Sequence, residues 1–253
     1  MVVLVHGGYW RSWYTKSLMN GLARAVVAKG WAAWNIEYRR VGPLGGGGGW
    51  PATLADVGAA VDHLQSFPFL DLARVVTCGH SSGGHLALWA AGRHRAPAGT
   101  PGTPPQVRPK AAMALAGVVD LELGVEMGLG GGAVKAFLGG GPDQWPERYR
   151  AASPAALLPL GIAQALVHGL ADTVVPSEMS ERYQRAAVAA GDNAVYVPVA
   201  SADHRQLIDP ASAAWGLAAE HLEHLLATAP GTAPDGSPGA GPDGSSGTTT
   251  AED

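Results

Sequence analysis

The chain has 253 residues, 47% hydrophobic and 15% charged, which suits one α/β domain with a substantial core plus a tail. A formal net charge of -4 and the lack of a basic stripe argue against a nucleic-acid partner. No run of about 20 apolar residues suggests a membrane-spanning helix, and a single cysteine, Cys78, leaves no internal disulfide to form.

The chain opens directly on Met-Val-Val-Leu-Val, which reads as a buried strand over residues 2–5 ending at His6-Gly7-Gly8. It has no charged leader or cleavage site of the secretory kind, so a cytoplasmic location is expected. Residues 16–29 show helical spacing, with Leu18, Leu22, Val26 and Val27 on one face and Gly30 as the stop. A strand is predicted over 31–38, followed by a loop over 42–50 with five consecutive glycines. Residues 53–65 are helical in period. A strand over 74–78 carries Cys78 as an inert packed residue. A helix over 82–93 and a Pro/Gly-rich connection over 95–109 lead to a buried strand over 111–116. Residues 121–150 read as irregular and Gly-rich, a lid- or cap-like segment containing Met127, Val134, Phe137 and Leu138. A strand over 164–168, a helix over 177–190, a strand over 193–199 and a helix over 210–228 complete the order.

Strands alternating with helices predict an α/β fold: a three-layer sandwich around a mostly parallel sheet, spanning 1–228 as one domain. From 229 to 253 the chain is mainly Pro, Gly, Ser, Thr and Asp, a composition that predicts a disordered tail.

Gly79-His80-Ser81-Ser82-Gly83 sits between a predicted strand and a predicted helix. A sharp turn there lifts a serine hydroxyl out of the sheet, with flanking glycines because a side chain would clash. Ser81 would then lie at a helix N-terminus, where developing negative charge is favoured. A serine hydroxyl needs a base, and His204 follows the last predicted strand. The base needs an acid to fix its tautomer. Asp172 follows the strand over 164–168, whereas Asp203, adjacent to His204, points away from it. The order Ser81, Asp172, His204 is that of a strand–turn–helix hydrolase, and all three fall beyond the carboxyl ends of strands. Oxyanion donors are expected from the backbone N–H of Ser82 and from the N–H groups of Gly8 and Tyr9. Trp10, Trp50 and His80 are candidate pocket residues, together with the 121–150 segment. His6 is expected to hold the glycine loop, and His85 to pack or support the site. His221 and His224 lie three apart with no third ligand near, so no metal site is expected.

The chain resembles the α/β-hydrolase superfamily over about residues 1–228. His6-Gly7-Gly8-Tyr9-Trp10 is similar to the HGGxW motif of kynurenine formamidases (arylformamidases) and related esterases. The stretch Gly79 to Ala87 is similar to their nucleophile turn, and Glu37-Tyr38 and Asp120-Leu121 fall where such proteins carry these pairs. The resemblance implies Ser81, Asp172 and His204 as the triad. It also implies a serine hydrolase that cleaves a small-molecule ester or formamide through an acyl-enzyme, without metal or organic cofactor. Members of the superfamily carry further strands before the HGG strand. Their lack here would leave the strand over 31–38 at a sheet edge, and a chain shortened at its start is the expectation. Two other readings stand beside this one. The HGxxDxxVP pattern from His168 to Pro176 is shared with prolyl-oligopeptidase-type peptidases, although there is no room for a gating domain. A truncated hydrolase fold could also serve as a non-catalytic binding protein. The expected partner is a small-molecule substrate, with no nucleic acid and no membrane. The oligomeric state is open, a homodimer being one option.

Overall fold

A computed structural model describes residues 1–227; residues 228–253, where composition predicts the disordered tail, lie outside the described residues. Six strands form one sheet: β1 (Val2–Val5), β2 (Ala33–Ile36), β3 (Val76–His80), β4 (Ala111–Leu115), β5 (Ala163–Gly169) and β6 (Ala194–Val199). Their order is β2-β1-β3-β4-β5-β6 and every pairing is parallel. The helices are α1 (Asn20–Ala28), α2 (Ala52–Asp62), α3 (Ser82–Gly92), α4 (Leu121–Glu126), α5 (Ala133–Leu138), α6 (Pro146–Ala152), α7 (Glu178–Ala189) and α8 (Ala213–Ala227). This is a three-layer α/β architecture, a parallel sheet with helices on both faces.

The sheet divides the core in two because side chains alternate between its faces. Val2, Leu4, Val76, Cys78, Met113 and Val167 point to one side, where α1 and α8 cover them with Leu22, Val26, Trp215 and Leu222. Val3, Val5, Ala112 and Leu166 point to the other, beneath α2, α3 and α7. Strands buried on both faces read as unbroken apolar runs, as β1 and β4 do. Every residue of α3 is buried, so this helix is apolar all round and lies against β1, β3 and β4. Cys78 is fully buried and its thiol is pushed up to about 12 by burial, consistent with inert packing.

Several boundaries differ from the sequence reading. The helix expected over 16–29 begins with a 3-10 turn, Lys16–Met19, capped by the Thr15 hydroxyl, and becomes α-helical only at Asn20. Its apolar face is Met19, Leu22 and Val26, while Val27 is 58% exposed. The last helix starts at Ala213 rather than 210. The segment 121–150, expected to be irregular, contains α4, α5 and the start of α6. Asp120 caps α4 by accepting the Leu123 N–H at 3.1 Å, and Pro146 opens α6. Positive-φ glycines at 128, 130–132 and 139 separate these short helices and interrupt their period. Val134, Phe137, Leu138 and Tyr149 are buried in the main core, whereas Met127 is only partly buried. The strand expected over 31–38 is reduced to β2 and lies at an edge of the sheet, where the Trp34 indole donates to the Ala60 carbonyl at 3.0 Å and ties it to α2.

Candidate active site

The turn from β3 into α3 places Ser81 at the carboxyl end of the sheet. Its φ of 57 and ψ of -125 lie far from helix or strand values, and it makes no side-chain cap bond to the helix. A helix-capping serine has an extended backbone and a bonded hydroxyl; Ser81 has neither, and it holds a strained backbone that a capping role does not require. The glycines around it are demanded by contact. A Cβ at Gly79 would come within 2.0 Å of the Gly83 carbonyl, and one at Gly83 within 2.2 Å of the Val5 carbonyl. One at Gly7 would meet the His80 carbonyl at 2.7 Å and Ser81 Cβ at 2.9 Å. The glycine loop after β1 therefore lies directly against the serine turn.

That loop is itself strained. Gly8, Tyr9 and Trp10 have φ values of 111, 53 and 56. His6 fixes it as expected: Nδ1 is 2.8 Å from the Gly7 carbonyl and Nε2 is 2.7 Å from Glu37 Oε1. The Tyr38 hydroxyl also donates to the His6 carbonyl at 2.7 Å. Burial raises the Glu37 carboxyl, but the His6 contact and the Lys16 N–H outweigh it and hold it down at about 2. Among the described residues, the N–H groups of Gly8, Tyr9 and Ser82 donate to no protein acceptor. Ser82 N–H opens α3, so a free donor and the positive end of the helix dipole lie next to Ser81. The Trp10 N–H donates to Ser82 Oγ at 3.3 Å, which pins the two halves together.

His204, in the loop after β6, meets Asp172, in the loop after β5. The Nδ1–H donates to Asp172 Oδ2 at 2.6 Å. Asp172 is fully buried in its side chain, and its Oδ1 accepts the N–H groups of Val174 and Val175 at 2.8 and 2.9 Å. Burial alone would raise this carboxyl; the contacts from His168 and His204 and the Val175 N–H outweigh it and hold it well below the usual carboxylate range. Asp203 is occupied elsewhere, accepting the N–H groups of Arg205 and Gln206 at 2.9 and 3.0 Å. The two loops close on each other because Gly169 lacks a side chain, and a Cβ there would be 2.1 Å from the Ala202 carbonyl. Ser81 Oγ has no hydrogen-bond partner among the described residues, so the step from Ser81 to His204 is not closed by a bond, as is common before substrate binds.

The candidate pocket residues fare differently. Trp10 has 0% exposure, stacked 4.6 Å from Phe137 and donating its indole N–H to His85 Nδ1 at 3.2 Å; it is core, with no surface to offer a substrate. An indole fills the space under the glycine loop because its one polar atom finds a buried acceptor there. His80 is likewise no wall. It is 5% exposed, donates Nε2–H to the His204 carbonyl at 2.8 Å, and is pushed down to about 3 by burial and then by neighbouring His204. Trp50 is partly buried against the main core, its N–H bonded to the Phe137 carbonyl at 2.7 Å. Tyr9 is better placed to bound the site: its ring lies against Gly130 and its hydroxyl donates to the Val174 carbonyl at 2.9 Å, bridging the glycine loop, the 121–150 segment and the Asp172 loop. Arg11 adds a bond from Nη2 to the Gly130 carbonyl at 2.5 Å. A cleft of about 330 Å³, lined by Glu37, Tyr38, Arg39, Arg40, Leu44 and Asp56, meets this arrangement through Glu37 and Tyr38, the two residues that hold His6. Among the described residues no cluster of three or more His, Cys, Asp or Glu could hold a metal, and no helix is long and apolar enough to cross a membrane.

Sequence reasoning left His168 without a role. The structure puts its Nε2 3.3 Å from Asp172 Oδ2 and 2.9 Å from the Val175 carbonyl. Its position four residues before Asp172, at the end of a strand and at the head of the His168–Pro176 pattern, is the available signal.

Solved structures share this fold. A truncated carbohydrate esterase from gut microbiota superimposes with a TM-score of 0.76 at 19% identity, covering 90% of this chain and 86% of the other. A thermophilic esterase of Thermogutta terrifontis with bound propionate gives 0.70 at 22%, covering 88% and 82%. A bifunctional GH43-CE protein of Bacteroides eggerthii gives 0.73 at 22% over 89% of this chain, which spans only 31% of that protein's length. No match was found among curated protein sequences. The BD-FAE family model matches residues 1–186, most of the fold and the serine and acid loops, and the chain belongs to this family of α/β-hydrolase-fold esterases.

Proposed function

We propose that the protein hydrolyses short-acyl carboxylic esters of small molecules through a covalent acyl-enzyme on Ser81. The observation that carries the reading is the 2.6 Å bond from His204 to a buried, ionised Asp172 beside a serine held at φ 57. His204 Nε2 takes the Ser81 proton and the alkoxide oxygen attacks the ester carbonyl. The N–H groups of Gly8, Tyr9 and Ser82 receive the oxyanion, each donor contributing on the order of 3 kcal/mol to the transition state. Collapse expels the alcohol with the proton from His204. Water, deprotonated by the same imidazole, then frees the acid. Asp172 stays charged, holds Nδ1 protonated and offsets the imidazolium charge. The 121–150 segment, tied down through Tyr9 and Arg11, forms a cap over one side of the site. The likeness to a carbohydrate esterase and to a propionate-bound esterase supports ester over amide, and a short acyl group.

Reaction with a fluorophosphonate probe tests the mechanism. Labelling of the wild type but not of Ser81→Ala is expected; a folded wild type that does not label overturns it. A panel of p-nitrophenyl acetate, butyrate and octanoate alongside N-formylkynurenine tests the substrate, with turnover falling as the acyl chain lengthens. The HGGYW loop favours one second reading, formamide cleavage, which preferential turnover of N-formylkynurenine would establish.

A further inference from the structure

Asp172 serves two histidines, of which only His204 is needed for acyl transfer. His168, the penultimate residue of β5, has 0% exposure. Its Nε2 faces two acceptors, the Val175 carbonyl at 2.9 Å and Asp172 Oδ2 at 3.3 Å. Nε2 therefore carries the proton, and Nδ1 accepts from the Ser180 hydroxyl of α7 at 2.7 Å. The Val175 residue that receives this proton returns its own N–H to Asp172 Oδ1 at 2.9 Å. The turn from 172 to 175 is thus clamped from β5, while the positive end of an N–H dipole rests beside the oxygen that holds His204.

We propose that His168 is a positioning residue: through Val175 it sets the orientation of Asp172, and through its N–H it draws charge from Oδ2 and so moderates the basicity of His204. The inference rests on the reading of Ser81, Asp172 and His204 as the reacting set. The other groups around the acid do not supply this function. The Tyr9 hydroxyl, from the glycine loop, donates to Val174 O; His80, from β3, donates to the His204 carbonyl; Asp203 is turned into its own loop. Loss of the His168 N–H leaves more of the carboxylate charge for the His204 imidazolium. The protonated form of His204 is then favoured, and the acid limb of the rate profile moves to higher pH.

The test is the pH dependence of p-nitrophenyl acetate hydrolysis by the full chain. For His168→Phe the expected result is an acid limb of kcat/KM raised by about half a pH unit. The same variant should lose about tenfold in kcat at nearly constant KM, because the acid is less well oriented. His168→Gln, whose amide N–H can occupy the place of Nε2–H, should restore most of both. A folded Phe variant with the wild-type limb and kcat overturns the proposal. So does a Gln variant as impaired as Phe, or a loss confined to thermal stability, since either makes the residue packing alone. If the Phe variant does not fold, Ser180→Ala keeps the histidine and removes the hydroxyl that fixes its tautomer. A smaller limb shift in the same direction supports the proposal, and no shift overturns it. A separate outcome concerns the underlying reading: hydrolysis that survives Ser81→Ala sinks the reacting set itself, whereas Ser81-dependent hydrolysis with an unmoved limb sinks only the role of His168.

Discussion

His80 holds His204 by its backbone: the Nε2–H of the residue before Ser81 donates to the His204 carbonyl at 2.8 Å, with the two rings 4.4 Å apart. The His204 loop is thereby indexed to the serine turn rather than only to Asp172. His80→Phe removes the donor and should lower kcat/KM about five- to tenfold, the equivalent of one net hydrogen bond. Steady-state kinetics checks it, and a rate equal to wild type would show that the Asp172 bond alone positions the loop.

Asp172→Asn preserves shape but not charge, and leaves His204 free to take the wrong tautomer. A fall of about 10⁴ in kcat is expected. Ser81→Ala should abolish the burst of acyl-enzyme formation altogether. Pre-steady-state measurement with p-nitrophenyl acetate separates the two, since the Asn variant keeps a slow burst.

Acid should destabilise the fold through buried histidines before it reaches the carboxylates. Burial holds His80 down at about 3 and His85 at about 4, so both are neutral when folded and charged when unfolded near pH 5. The unfolded chain then binds more protons, and stability falls as pH drops below about 6.5. Each group contributes a slope of about 1.4 kcal/mol per pH unit until its folded pKa is reached. Asp172, depressed when folded, adds its own loss only below about 4. His85 accepts from the Trp10 indole through Nδ1 and donates Nε2–H to the Ala152 carbonyl at 2.8 Å, two bonds that glutamine can imitate. His85→Gln should therefore flatten the dependence between pH 6 and 4, as followed by urea midpoints. An unchanged slope would count against a neutral buried His85.

Trp10 links the glycine loop to α5. Trp10→Ala empties a fully buried site between Phe137 and His85 and should cost about 3–5 kcal/mol of stability. Trp10→Phe keeps the stack, loses the indole bond and should cost about 1 kcal/mol. Thermal unfolding checks both. A residue lining the pocket would instead change KM with little effect on Tm.

Much of the site is local chemistry and was legible along the chain. Ser81 needed only a strand, a tight turn between glycines and a helix. Asp172 and His204 each needed a strand end. The Cβ clashes at Gly79 and Gly83 give the physical reason that the pattern could be read. The 121–150 segment was harder because α4 and α5 are six residues each, too short for a 3.6-residue period to stand out among glycines. Val27 was misplaced because a 3-10 start rotates the face of α1 onto Met19.

By itself the sequence determined the order of elements, the parallel sheet they imply and the candidate trio Ser81, Asp172 and His204, because spacing and turn chemistry are properties of neighbouring residues. Only the tertiary structure decided that Trp10 is core, that His80 serves His204, and that His168 and Val175 clamp Asp172. Those contacts join residues from different strands and loops. Each depends on which side chains burial leaves facing one another, and no local pattern carries that information.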